Sequence, residues 1–336
     1  QVQQENAVPH MKPILVLGLG GTGLDTIYRV RRRLLDRYGS LDRMPIVAFL
    51  WLDCDLGWEE SARSHPDVAL SPEHMVQPAE RVNLAVSGAT DLYNGIAAGN
   101  YPHLEWFSLA RLRSFVNITA GAGNVRQLGR LCLFQHVNEV KSAITAQLDR
   151  INANEAREYV RDNYGTPTAP GLDIYLVCSL AGGTGSGIFL DVAYLCRHLV
   201  QSKADWSVVG FCLLASAFPG GNHQRKMANC YAALRECNYY SSHGAATGAL
   251  SPLFANAGFD VRYGTDEASH VHFAGPPFDM CYMLDVTNTQ GVQQKHDWLL
   301  NMLADYICLD FSIIGPFKRS KRQDVHRARG QQSDGA

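Results

Sequence analysis

Apolar residues along this chain fall into two alternating textures, short unbroken runs and longer stripes of helical period. ILVLGLG (14–20) is a run of leucine and β-branched residues that closes on glycine. Behind it, Leu24, Ile27, Val30, Leu34 and Leu35 recur on one helical stripe, with Gly39 as its C-cap. PIVAFLWLD (45–53), DIYLVCSL (173–180), SVVGFCLLAS (207–216) and FDMCYMLDV (278–286) read as further buried strands, and VNIT (116–119) as a shorter one. Between them lie a helical pattern at roughly 126–160, the nearly all-apolar IFLDVAYLCRHLVQ, RKMANCYAALRECNYYSS, and DWLLNMLADYICLDFSII. Strands alternating with helices of this length predict an α/β fold in three layers, a mostly parallel sheet with helices on both faces, Rossmann-like in plan. No period of roughly 20–50 residues repeats, which argues against a solenoid.

The pattern weakens in three places. Residues 56–113 are rich in Pro, Gly, Ser and His and read as an insertion, an elaborated loop region with short helices. Residues 1–11 read as a disordered N-terminal segment, with Met11 as the natural start or the chain as a fragment. The basic stretch at 316–336 lacks apolar period and reads as a disordered tail, which leaves 12–315 as the folded domain.

Composition narrows the classes. With 46% hydrophobic and 18% charged residues and a mean hydropathy of −0.13, the chain resembles a soluble globular protein. A net charge of −2 gives no general attraction to polyanions, so no nucleic-acid partner is expected. No apolar stretch approaches the roughly 20 residues that span a membrane, and QVQQENAVPH lacks the layout of a secretory signal. The nine cysteines are odd in number and form no C-x-x-C pair, the pattern of reduced, buried thiols in a cytoplasmic protein. His270-Val271-His272 alternates as on a strand face and reads as exposed or core histidines; no metal-ligating set is expected of the side chains. RVRRR (29–33) reads as a solvated helix face.

Chemistry concentrates in glycine loops. GLGGTG (18–23) sits between the first strand and its helix, where backbone amides and a helix dipole can meet a phosphate. Taken alone it admits a dinucleotide-binding reading, with Asp42, Asp53 or Asp55 as the ribose-binding acid. ITAGAGN (118–124), AGGTGSG (181–187) and ASAFPGGN (215–222) then repeat the strand–loop–helix arrangement. Parallel strands carry all such loops to one sheet edge, where several can wrap one nucleotide. No loop continues into Lys followed by Ser or Thr, which excludes a Walker P-loop.

AGGTGSG matches the signature of the tubulin/FtsZ superfamily, and the order of the other segments agrees. The resemblance implies a GTP-binding domain whose phosphate loop is Ala181, Gly182, Gly183, Thr184, Gly185 and Ser186. GLGGTGLD resembles the family's first phosphate loop, with Gly20, Gly21, Thr22 and Gly23 in it. Asp25 falls where FtsZ has a base- or sugar-contacting Asn, and equally suits an acidic first helical turn. FLWLDCD places Asp55 on the family's acidic position. GAGNVRQLGR resembles the loop that senses the terminal phosphate, through Ala122, Gly123 and Asn124. ASAFPGGNHQRKMANC resembles the ribose loop and its helix, with Arg225 on the FtsZ arginine and glycine in place of the glutamate. DWLLNMLADYICL resembles the central helix over the guanine ring. There Asp305 is either base-facing or solvated, and Leu303 and Ile307 stand in the best-aligned places for base contacts.

The resemblance further implies bound GTP or GDP, Mg²⁺, and a homo-oligomer or filament in which a neighbouring subunit completes the hydrolytic site. The stretch GPFKRSKRQ after the central helix offers neither the catalytic acidic loop nor an activation domain, so no catalytic residue is assigned and slow or absent turnover is expected. Two alternatives stand beside this reading: a non-catalytic tubulin-like scaffold with a degenerate site, and an NAD-binding Rossmann enzyme.

Overall fold

The computed structural model describes residues 10–58, 65, 72–241, 258–287, 290–291 and 295–311. Most of the insertion at 56–113 is among them. Residues 1–9 and the tail from 312 onward, on which two of the sequence expectations fall, lie outside.

Six strands form one parallel sheet: β1 (Ile14–Leu19), β2 (Val47–Asp53), β3 (Arg81–Asn83), β4 (Asp173–Ser179), β5 (Ser207–Leu213) and β8 (Met280–Leu284), in the order β3-β2-β1-β4-β5-β8. The order runs outward in both directions from β1 and β4, which makes their junction the switch point where doubly wound sheets open a ligand crevice. β1, β2, β4 and β5 are buried at every position, as strands covered on both faces must be. Two further strands, β6 (Phe259–Arg262) and β7 (His270–Phe273), form a separate antiparallel hairpin. It accounts for the alternation of His270 and His272, which flank Asp260: His270 Nε2 lies 2.5 Å from its carboxylate and His272 Nδ1 3.9 Å.

Eight α-helices occur among the described residues. They are α1 (Gly20–Tyr38), α2 (Thr90–Ala97), α3 (Leu109–Leu112), α4 (Arg126–Asn152), α5 (Asn154–Tyr164), α6 (Thr184–Val200), α7 (His223–Ser241) and α8 (His296–Phe311). Alternate strand residues divide the core. Leu15, Leu17, Leu50, Leu52, Ile174 and Leu176 meet α4 and α6, with α7 behind them. Val16, Phe49, Tyr175, Val177 and Phe211 meet α1, α5 and α8 on the other face. This is the three-layer α/β arrangement the alternating pattern predicts.

Three local expectations are corrected. VNIT forms no sheet strand; Ile118 makes only an isolated bridge to Val86, because β3 is three residues long and ends the sheet beside β2. The single helix expected over 126–160 is two. Ala153, at φ −58° and ψ 144°, leaves the helical region and turns the chain with no Gly or Pro to announce it. Met11, placed by the sequence in the N-terminal segment, is buried and bonded through its amide to the Pro167 carbonyl at 3.0 Å.

Helices α4 and α6 cross where both lack side chains. A β-carbon on Gly129 would stand 2.5 Å from the Gly183 carbonyl oxygen, and one on Gly187 would press into the Arg126 carbonyl. Overpacking a site that cannot yield costs about 1–3 kcal/mol. Gly187→Ala is therefore expected to lower the unfolding free energy by that amount in urea melts, whereas Gly182→Ala, whose β-carbon meets nothing within 4 Å, leaves it unchanged.

Candidate functional site

The carboxyl ends of β1, β2 and β4 and the start of α7 enclose a cleft of about 360 Å³ at the switch point. Three loops supply most of its wall. After β1 come Gly20, Gly21 and Thr22; before α4 come Gly121, Ala122, Gly123 and Asn124; after β4 come Ala181, Gly182, Gly183, Thr184 and Gly185. Helices α1 and α6 begin within the first and third loops, at Gly20 and Thr184. Their first-turn amides have no intrahelical partner. At Gly21, Gly121, Gly123 and Gly182 an added β-carbon meets nothing within 4 Å, so bare backbone borders the open space.

The loops hold one another at fixed distance. Gly20 adopts φ +69° and its carbonyl accepts the Trp51 indole N–H at 3.0 Å. A β-carbon on Gly183 would lie 2.8 Å from that of Ala122. Asn229, on the inner face of α7, donates its amide to the carbonyls of Asn124 (3.0 Å), Ala181 (3.1 Å) and Gly182 (3.2 Å). In a trans peptide the C=O and N–H point opposite ways. Drawing the Ala181 and Gly182 carbonyls to Asn229 therefore turns the amides of Gly182 and Gly183 away from it. Neither amide donates to any other described group.

Charge is sparse in the wall. Asp53 and Asp55 stand at the end of β2, and Lys226 enters from α7. Lys226 Nζ donates to the carbonyls of Phe218 (3.2 Å) and Gly220 (3.1 Å), which fixes the loop before α7 and leaves one ammonium hydrogen unspent. Asp55 accepts the Gly57 amide at 2.8 Å. Asp53 is 8% exposed, and its Oδ1 accepts the Cys54 amide at 2.8 Å. Burial pushes the Asp53 carboxyl above its ordinary value, against the lowering effect of hydrogen bonds from Thr184 and Cys54. The Thr184 hydroxyl is turned inward, 3.1 Å from the Cys54 thiol. All nine cysteines are unpaired.

Five residues proposed from the sequence lie outside the cleft. Gly23 packs against Gly18 at the strand–helix junction, where a β-carbon on Gly18 would come within 2.7 Å of it. Asp25 is turned to Arg29 (3.3 Å) and His65 (2.8 Å). Ser186 is fully buried beneath the helix start, its carbonyl accepting Arg126 at 3.0 Å. Arg225 is exposed on α7, and Asp305 is an exposed partner of Arg33 at 2.5 Å. Leu303 and Ile307 are buried in the core between α8 and α1. The sequence in turn passes over Lys226, Asn229 and Phe218. For Lys226 and Asn229 the signal is helical spacing: Lys226, Asn229, Ala233, Glu236 and Tyr240 recur on one face of α7, and Arg225 falls beside it; Phe218, in the loop ahead of α7, carries no such signal.

A doubly wound parallel sheet with an amide-lined cleft at its switch point places the protein among α/β domains that take their ligand on strand-end loops. The family described as "Tubulin like" matches residues 15–334, and the chain belongs to that family. No curated protein matches the sequence. Similar solved structures include TubZ from Bacillus thuringiensis serovar israelensis, a GTPyS-form protofilament, at 14% identity and TM-score 0.47, covering 92% of this chain and 58% of that one. CetZ2 from Haloferax volcanii, a GTPgS-bound protofilament, is 15% identical at TM-score 0.45, covering 90% and 58%. CetZ1 from the same organism, a GDP-bound monomer, is 12% identical at TM-score 0.44, covering 89% and 60%. The chain thus spans less than two thirds of the length of these solved chains.

The raised Asp53 pKa has a stability consequence. Its folded-state value lies above 3.8, so the stabilising contribution is present below pH 3.8 and is lost as pH rises through the folded value. At neutral pH the group therefore opposes folding of the empty protein. Asp53→Asn keeps the acceptor for the Cys54 amide and is expected to raise the melting temperature at pH 7, with the gain vanishing toward pH 3.

Proposed function

We propose that the cleft binds a guanine nucleotide, with the phosphates against the three glycine loops and the base toward Phe218. The observation that carries this reading is the convergence of unpaired amides from two helix starts on one space bordered by bare glycine backbone. Such an arrangement offers many donors and positive helix-dipole ends to an anion while adding one cationic side chain among the described residues, Lys226. Phe218 supplies an aromatic face to the cleft wall, with its ring 4.9 Å from that of His296. The preference for guanine over other bases rests on membership of the tubulin-like family.

The residues present also suit Mg²⁺. Asp55, with Asp53 behind it, would hold the ion beside the phosphates, in the manner of a cation that takes one or two carboxylates and completes its shell with phosphate oxygens and water. Bound there, the metal would neutralise charge on the terminal phosphates. Self-assembly of nucleotide-loaded protein into filaments is part of the same reading, again from the family, and pelleting that depends on GTP is its direct readout.

The test is titration with a fluorescent GTP analogue, competed by GTP, ATP and NAD. GTP is expected to displace it and NAD is not. In Gly21→Val and Gly182→Val the β-carbon enters open space, with nothing within 4 Å of it. Each should weaken binding by about tenfold or more, which is about 1.4 kcal/mol. Gly185→Val is a poorer probe, since its β-carbon would lie 3.1 Å from the Leu19 carbonyl rather than in the cleft. Unchanged affinity in both valine variants, or displacement by NAD in preference to GTP, would contradict the phosphate assignment.

A further inference from the structure

A second cavity, of about 390 Å³, lies between α4, α6, α7 and β6 and shares no lining residue with the cleft. Its apolar wall is Trp106, Phe189 and Phe259, and its polar wall includes Gln127, Arg130 and Tyr240. The carboxylates in this wall are already engaged. Asp191 accepts Arg130 Nε and Nη2 at 2.9–3.1 Å and the Tyr263 hydroxyl at 2.7 Å. Glu236 is paired in fork geometry with Arg126, whose guanidinium also reaches the Ser186 carbonyl at 3.0 Å.

What remains unspent is a set of donors. Arg130 Nη1 makes no hydrogen bond among the described residues, although the guanidinium is fixed over Trp106 at 4.8 Å and Phe134 at 5.3 Å. Gln127 uses its carbonyl oxygen on the Ser108 amide at 3.1 Å, and its own N–H groups donate to no described group. The Tyr240 hydroxyl donates to no described group, and burial keeps it protonated. The Trp106 indole N–H is satisfied by the His103 carbonyl at 3.1 Å, so this ring offers a face rather than a donor.

We infer that this cavity is a ligand site for a small aromatic carboxylate, its ring among Trp106, Phe189 and Phe259 and its carboxylate on Arg130, Gln127 and Tyr240. A concave space with aromatic surface on one side and unspent donors on the other can hold an aromatic ring and its polar substituent together. Arg130 is held rigid by Asp191 and by the two rings, so ordering it on binding costs little. A carboxylate, rather than a neutral acceptor, draws a charge-assisted bond from the unspent guanidinium N–H. None of this depends on what occupies the cleft.

Calorimetric titration of the whole chain with 1-naphthoate tests the site, with 1-naphthamide as the neutral control. Saturable one-to-one binding is expected, unaffected by saturating GTP. The amide, and the variants Tyr240→Phe and Gln127→Leu, should each bind about tenfold more weakly, the loss of one hydrogen bond to a charged group. Tyr240→Phe removes an oxygen that bonds to nothing described, so no hydrogen bond among the described residues is lost with it. The inference is overturned by absence of saturation, by equal affinity for the amide, by wild-type affinity in both variants, or by displacement of naphthoate with GTP.

Discussion

The arrangement of the cleft depends on one side-chain amide. Asn229 gathers carbonyls from the loop before α4 and the loop after β4, two segments that would otherwise present oxygens to one another. Peptide geometry does the rest: carbonyls collected on the α7 side leave amides directed to the other. An anion site made of backbone needs such an anchor, because flexible glycine loops have no intrinsic reason to point their donors in one direction. The close contact of Gly183 with Ala122, and of Gly129 with Gly183, supplies the complementary constraint by fixing how near the two loops stand. Hydrogen bonding sets direction and bare backbone sets distance.

The sheet determines where these loops can meet. Because β1 and β4 are neighbours and their crossovers run in opposite directions, the loops that follow them flank a gap that no connection closes. Helix α6 borders both spaces, with Thr184 and Gly185 on the cleft and Gly187, Phe189 and Leu190 on the second cavity. Helix α7 faces both, with Asn229 at the cleft and Glu236 and Tyr240 two to three turns further along the same face.

Much of this was legible in the sequence, for definite physical reasons. Fully buried parallel strands read as unbroken apolar runs, so β1, β2, β4 and β5 stand out, and glycine strings mark the loops behind β1 and β4; the edge strand β8 is apolar in sequence yet only half-buried. The three-residue β3 is too short to carry a period, and of the hairpin only the His270-Val271-His272 alternation in β7 shows. The break at Ala153 carries no Gly or Pro to mark it. What periodicity leaves open is the rotation of a helix about its axis: Arg225 and Lys226 are adjacent, yet only Lys226 reaches the cleft. Asp305 and Asp25 belong to the same case, each claimed by a nearby arginine that lies far away in sequence or one turn along the helix. Ser186 was misplaced for a related reason. The signature loop turns helical at Thr184, which carries the hydroxyl two residues on, that of Ser186, beneath the surface.

The central claim is that three segments distant in sequence act as one anion-binding surface. Hydrogen exchange read by mass spectrometry, with and without GTP and Mg²⁺, tests it most directly. The account predicts that amides at 20–22, 121–124 and 181–185 gain protection together on addition of the nucleotide. Protection confined to one of these loops, or found only elsewhere in the chain, would contradict it.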